Sequence, residues 1–285
     1  MKTKGRRLAA ILAVIFAMSM AMPVAAFADE SQGYLALGDN LSESEKSTVM
    51  DLLGISSTDG YDVFYVTNAE EHQYLGKYVS SSEIGTRALS SVLITKNGGS
   101  DINVTTKNIN YCTVGMYRNA LTTAGVSGVD VLAVGPFEIS GTSALVGTIK
   151  AYERMSGESV SDEIIEGSVD EMITTGEVGE AIGDKEKAEA IIATVKEEMA
   201  NDPNMSDSEI QEAIQEAAND AGVTISDEKI GDITEMFQNL QGLDIDWNNV
   251  KKQSQSILEN FKGIFQSEEA QGFIHRIIAW FRSLF

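Results

Sequence analysis

The spacing of apolar side chains changes character part-way along the chain. In the first half, short runs with strand character (YLALG at 34–38, YDVFYVT at 61–67, VDVLAVG at 129–135) alternate with stretches whose apolar residues fall three and four apart. LSESEKSTVMDLLG at 41–54 is one such stretch. Ser42 and Glu45 spell a capping box and Gly54 supplies the stop, so a helix is predicted between them. A short helix over 68–75, a helix over 113–124 stopped by Gly125, and a helix through GTSALVGTIKAYERM from 141 complete the set. RALSSVLITK and DINVTTKN flank Asn97-Gly98-Gly99-Ser100, which predicts two antiparallel strands joined by a tight turn. Strands interleaved with helices predict an α/β sandwich with a mixed sheet over 29–155. The order helix, Gly54-Ile55, strand is echoed by helix, Gly125-Val126, strand; ordinary αβ connections explain the echo without a duplication.

From residue 153 to 246 the chain turns strongly acidic and almost no strand signal remains. DKEKAEAIIATVKEEMA (184–200), SDSEIQEAIQEAANDAG (206–222), SDEKIGDITEMFQNLQG (226–242) and DWNNVKKQSQSILENFKGIF (246–265) each place apolar residues at helical spacing behind a Ser or Asp cap. Short loops between such helices predict an all-α bundle over 184–285, so the chain as a whole is α+β. The acidic, Gly-rich segment 156–183 reads as a hinge or as a broken first helix.

Composition adds location. MKTKGRR, the apolar run LAAILAVIFAMSMAMPVAA and Ala26-Phe27-Ala28 have the order of a secretory signal peptide, with cleavage expected after Ala28. The chain carries 21 basic and 43 acidic side chains, a net charge of −22, and losing Lys2, Lys4, Arg6 and Arg7 with the leader makes it −26. A field of that sign excludes nucleic acid as a partner and favours cations or basic surfaces. Cys112 is the only cysteine, so no internal disulfide forms, as in many exported proteins of a Gram-positive type of envelope.

LGDNLSESEKSTVMDLLGI, VTNAEEHQYLGKYV with IGTRALSS, MYRNALTTAG, PFEISGTSALVGTIKAYE and the late ISDEKI and LDIDW resemble the exported bacterial family called domain of unknown function 1002. The resemblance covers nearly all of the chain after the leader. It implies this architecture and export, and brings no activity with it.

Candidate chemistry is sparse. GTSALVG at 141–147 offers amides and hydroxyls at a helix start, which suits a phosphate or carboxylate and equally an ordinary cap. It lacks Walker spacing and is not G-x-S-x-G, and IGTRALSS at 84–91 repeats its letters in a strand-like context. The two histidines, His72 and His275, and Cys112 are too scattered for a zinc site or a histidine-assisted nucleophile. Asp244-x-Asp246-x-Asn248 begins like a calcium loop, but Asn249 and Gln255 stand where the glycine and the bidentate glutamate belong, so Asp246 reads as a helix cap. Glu70, Glu71, Asp130 and Glu138 show no spacing that singles out a glycosidase pair. Arg87, Arg118 and Lys150 are scarce cations beside glycine-bearing or strand-edge segments. They would either converge with Thr142 and Ser143 on a small anion or pair with local acids.

The sequence therefore predicts an exported or cell-envelope-associated binding protein without catalysis, with no cofactor and no metal, its partner an unknown protein or a small anionic ligand at Arg87, Arg118, Thr142 and Ser143. The competing expectation is an exported hydrolase of cell-wall material using the same four residues. In FIHRIIAWFRSLF, Phe273, Ile277 and Phe281 share an apolar helical face, with Trp280, Arg276 and Arg282 as interfacial or partner contacts. Burial against the bundle, a peripheral membrane surface and a partner protein all fit that stripe. A truncation ending near Gln271 separates them: loss of folding marks core burial, whereas retained folding with loss from the membrane fraction marks anchoring.

Overall fold

A computed structural model describes residues 33–78 and 81–261. The leader over 1–28 and the C-terminal contacts Phe273, Arg276, Ile277, Trp280, Phe281 and Arg282 lie outside the described residues, as does His275. The first part runs β1 (Gly33–Gly38), α1 (Glu43–Leu53), β2 (Tyr61–Val66), α2 (Asn68–Leu75), α3 (Ser81–Ile84), β3 (Ser91–Lys96), β4 (Ile102–Ile109), α4 (Val114–Thr123), β5 (Val129–Ile139) and α5 (Thr142–Ser156). A run of helices follows: α6 (Asp162–Ile182), α7 (Lys185–Asn201), α8 (Asp207–Asp220), α9 (Asp227–Gln241) and α10 (Trp247–Asn260). The local signals hold where the sequence places them. Ser42 and Glu45 close a capping box on α1, Gly54 ends it at φ 76°, and the Asp246 carboxylate accepts from the amides of Asn248 and Asn249 at 3.0 and 3.1 Å.

The five strands form one mixed sheet in the order β2-β1-β3-β5-β4. β1 with β2 and β4 with β5 are parallel pairs, and β3 runs antiparallel to both β1 and β5. The expected hairpin of β3 with β4 is therefore wrong: β5 inserts between them. The cause is burial. β3 and the first part of β5, residues 129–135, are buried at most positions, whereas β4 buries only Ile102 and then alternates half-buried with exposed positions, so the central place goes to the strand with apolar residues on both sides. The turn sequence opens to admit it. Asn97 donates to the Gly128 carbonyl at 3.0 Å and Gly128 donates to Ser100 at 3.2 Å. Gly128 sits at φ 66°, and a Cβ there would lie 2.7 Å from the Gly99 oxygen. The expected strand over 87–96 also starts late, at Ser91, because Ala88 is instead bound to Asn40, whose side chain accepts its amide at 2.9 Å.

Alternation along the strands divides the core. Leu35, Leu37 and Val134 meet Val49 and Leu53 of α1 on one face. Ala36, Val92, Ile94, Val131 and Ala133 meet α4, α5 and α6 on the other. The two helix–glycine–strand units thus place α1 and α4 on opposite faces. Close approach of α5 requires Gly147, where a Cβ would lie 2.9 Å from that of Ala36.

Segment 156–183, left open between hinge and broken helix, forms a loop and then one 21-residue helix, α6, capped by Ser161 and ended by Gly183 at φ 74°. Ile165, Val169, Met172 and Ile173 of α6 join the sheet-side core, while Val178 joins a second core with Ile191, Ile192 and Val195 of α7, Ile210 and Ile214 of α8 and Phe237 of α9. Where α4, α6 and α7 cross, Lys196 is 1 % exposed. Its Nζ donates to both Glu171 oxygens at 2.7 and 2.8 Å and to the Asn119 carbonyl at 2.6 Å. Thr123 also donates its hydroxyl to Glu171. Burial pulls the Lys196 pKa down and Glu171 opposes that pull. Lys196→Met alone strands the carboxylate and is expected to cost about 3–5 kcal/mol in urea denaturation, whereas Lys196→Met with Glu171→Leu recovers most of the loss.

Candidate functional site

The start of α5 answers what GTSALVG binds. Gly141 is the N-cap at φ 96°, with no side-chain cap, and its carbonyl accepts from the buried Tyr117 hydroxyl. Facing the first turn is the chain's own Glu71, 3 % exposed on α2. It accepts from the Thr142 hydroxyl at 3.1 Å, from the Asn68 amide at 3.4 Å and from the Ser143 hydroxyl. Ser143 also shares a 2.6 Å bond with Ser90, and the Ser90 hydroxyl accepts the Ala144 amide at 2.9 Å. A helix start favours negative charge, and here an internal carboxylate occupies it. Burial still raises the Glu71 pKa against these bonds.

The structure brings Thr142 and Ser143 together at Glu71, whereas Lys150, about two turns further along α5, pairs with Glu70 and the Tyr65 carbonyl instead. It does not bring the arginines there. Arg87 donates to the Asn40 carbonyl at 2.9 Å and pairs with Glu45 at the start of α1. Arg118 lies on α4 and donates to Ser256 of α10 at 3.2 Å. Ser143 and Cys112 are buried, and burial pushes the Cys112 thiol well above its ordinary value. His72 Nε2 lies 3.0 Å from the Gly85 carbonyl. Among the described residues no group of three or more His, Cys, Asp or Glu side chains is placed to hold a metal ion.

A groove that sequence reading missed runs beside this cluster. A cavity of about 270 Å³ between α6 and α9 is lined by Tyr78, Asp170, Ile173, Thr174, Glu177, Asp232, Glu235, Met236 and Asn239. An adjoining one of about 400 Å³ shares Tyr78, Ile173 and Glu177 and continues past Leu75, Ile84, Tyr111, Ser140, Thr142 and Glu180. Positions 170, 173, 174 and 177 fall on one stripe of α6, which is the signal that the sequence held. Asp170 lies at the floor and burial pushes it up to about 6, with bonds from Thr174 and Asn239 opposing. Lys229 already sits among these acids, its Nζ 2.7 Å from Glu177 and 2.9 Å from Asp232.

The model of the family described as "Protein of unknown function (DUF1002)" matches residues 37–257. The chain belongs to the DUF1002 family. The "Uncharacterized protein YpuA" of Bacillus subtilis (strain 168) is 40 % identical over 267 residues, covering 92 % of this chain and 91 % of that protein. No solved structure matches.

In this DUF1002 chain the buried acids set a pH response. Burial pushes Glu189, Glu197 and Glu198 up to about 7 from an ordinary 4.5. The folded state then holds protons that the unfolded state releases, so stability present below 4.5 is lost as pH rises to about 7. Glu45 has the opposite sign. Its bond from Arg87 lowers it to about 2, so its contribution is lost as pH falls below 4.5. Urea midpoints are expected to be higher near about pH 5 than near about pH 7.5, and Glu197→Gln is expected to narrow that gap.

Proposed function

We propose that the protein is an exported or cell-envelope-associated binding protein, without catalysis, whose groove between α6 and α9 receives a cationic group from a partner protein. The observation that carries this reading is the groove itself: Asp170 at its floor, Glu177 and Glu235 exposed at its rim, and the Tyr78 ring as an apolar wall. Carboxylates around an aromatic ring suit a lysine or arginine side chain, which carries charge at its tip and a hydrocarbon stem behind it. Lys229 provides the internal precedent for an ammonium among these acids.

The leader-like order of residues 1–28 and a net charge of −26 after its removal support export and a basic partner. The separation of Arg87 and Arg118 from Thr142 and Ser143, and the burial of Ser143 and Cys112, support binding over turnover.

Two measurements test this. Fractionation of cells is expected to recover the chain outside the cytoplasm with Asp29 at its N-terminus; a cytoplasmic chain retaining Met1 overturns export. An oligolysine peptide is expected to bind in fluorescence anisotropy, more weakly as salt rises and as pH falls through about 6, where Asp170 takes up its proton. The double variant Asp170→Asn, Glu235→Gln is expected to lose affinity by about tenfold or more. Equal binding by that variant overturns the groove as the site.

A further inference from the structure

A separate cavity, of about 500 Å³, lies where the end of β4 meets the start of α4, beneath the first turns of α7 and Phe261. Its lining has only Tyr111 in common with the groove. Arg118 forms one wall and is 9 % exposed. One of its nitrogens donates to Ser256, while its Nε–H has no partner, and among the described residues no carboxylate forms an ion pair with it. Asp101 partly opposes the burial that lowers the Arg118 pKa, but it makes no ion pair with the guanidinium, and a free Nε–H beside an Nη–H is one side of the fork that takes a carboxylate.

The other walls narrow the chemistry. Ile109, Val114 and Phe261 are apolar, and Val114 is 40 % exposed, so the cavity opens beside it. Glu186 and Glu189 face the same space. Glu189 accepts from the Thr113 hydroxyl and packs so close to Gly115 that a Cβ there would collide with it. Two acids on the far side disfavour a dianion such as a phosphate monoester and leave room for one negative charge at Arg118.

We propose that this cavity binds a small monocarboxylate with an apolar body, its carboxylate held by Arg118 and its hydrocarbon part lying against Ile109, Val114 and Phe261. This site is independent of the groove, and its occupant differs in charge.

Isothermal titration calorimetry of the full mature chain with hexanoate and with hexanamide tests the assignment, because the two share a body and differ in charge. Hexanoate is expected to bind and hexanamide to bind about tenfold or more weakly. Arg118→Gln is expected to reduce the hexanoate affinity to the level of the amide. Val114→Trp, placed at the exposed mouth, is expected to block both ligands while leaving the circular dichroism spectrum and the oligolysine affinity unchanged, so the test survives if the arginine variant does not fold. Equal affinity for acid and amide, no hexanoate binding at millimolar concentration, or unchanged hexanoate binding by the folded variants overturns the proposal.

Discussion

The buried pair of Lys196 and Glu171 governs how the helical run meets the sheet. Two opposite charges removed from water at the crossing of α4, α6 and α7 tolerate little displacement, since separating them leaves each unpaired in a poorly polarisable interior. Asn119 and Thr123 of α4 complete the shell, so a helix packed on the sheet is tied to two helices of the following run. With that crossing set, α6 lies with one end in the sheet-side core and the other in the second core, the groove opens between α6 and α9, and the Arg118 cavity opens between the starts of α4 and α7.

A related device recurs at two helix starts. Glu71 of α2 closes the first turn of α5, and Glu189 of α7 closes the first turn of α4 through Thr113. In each case a neighbouring helix supplies the negative charge that exposed amides attract, so packing between elements and capping are one interaction. An acidic chain satisfies its helix starts from within, and few basic residues remain uncommitted.

What was legible in the sequence was local. Ser42, Glu45 and Gly54 lie within 13 residues and specify α1 almost unaided, and Asp246 caps α10 through amides two and three positions on. The place of β5 was not local. Asn97-Gly98-Gly99-Ser100 has the letters of a tight turn, and only competition for burial on both faces, won by Val131 and Leu132 over Thr105 and Lys107, separates the strands it joins. Glu71 and Thr142 lie 71 positions apart, so EEHQYLG and GTSALVG each read as unremarkable surface or cap until the fold joins them. The groove was hidden for a similar reason: acids at helical spacing on α6 and α9 look like solvated faces until the two helices are packed together.

The sheet order has a consequence for how the chain is made. β1 with β2 and β4 with β5 are each connected over short stretches, yet β3 bridges the two parallel pairs and gains its second neighbour only when residues 129–134 arrive. Until then a nascent polypeptide presents an unsated apolar ribbon at 91–96, a template for pairing with other molecules. Completion is therefore postponed until nearly half of the chain has been made, and the interval before it is the one in which a holding chaperone has most to shield.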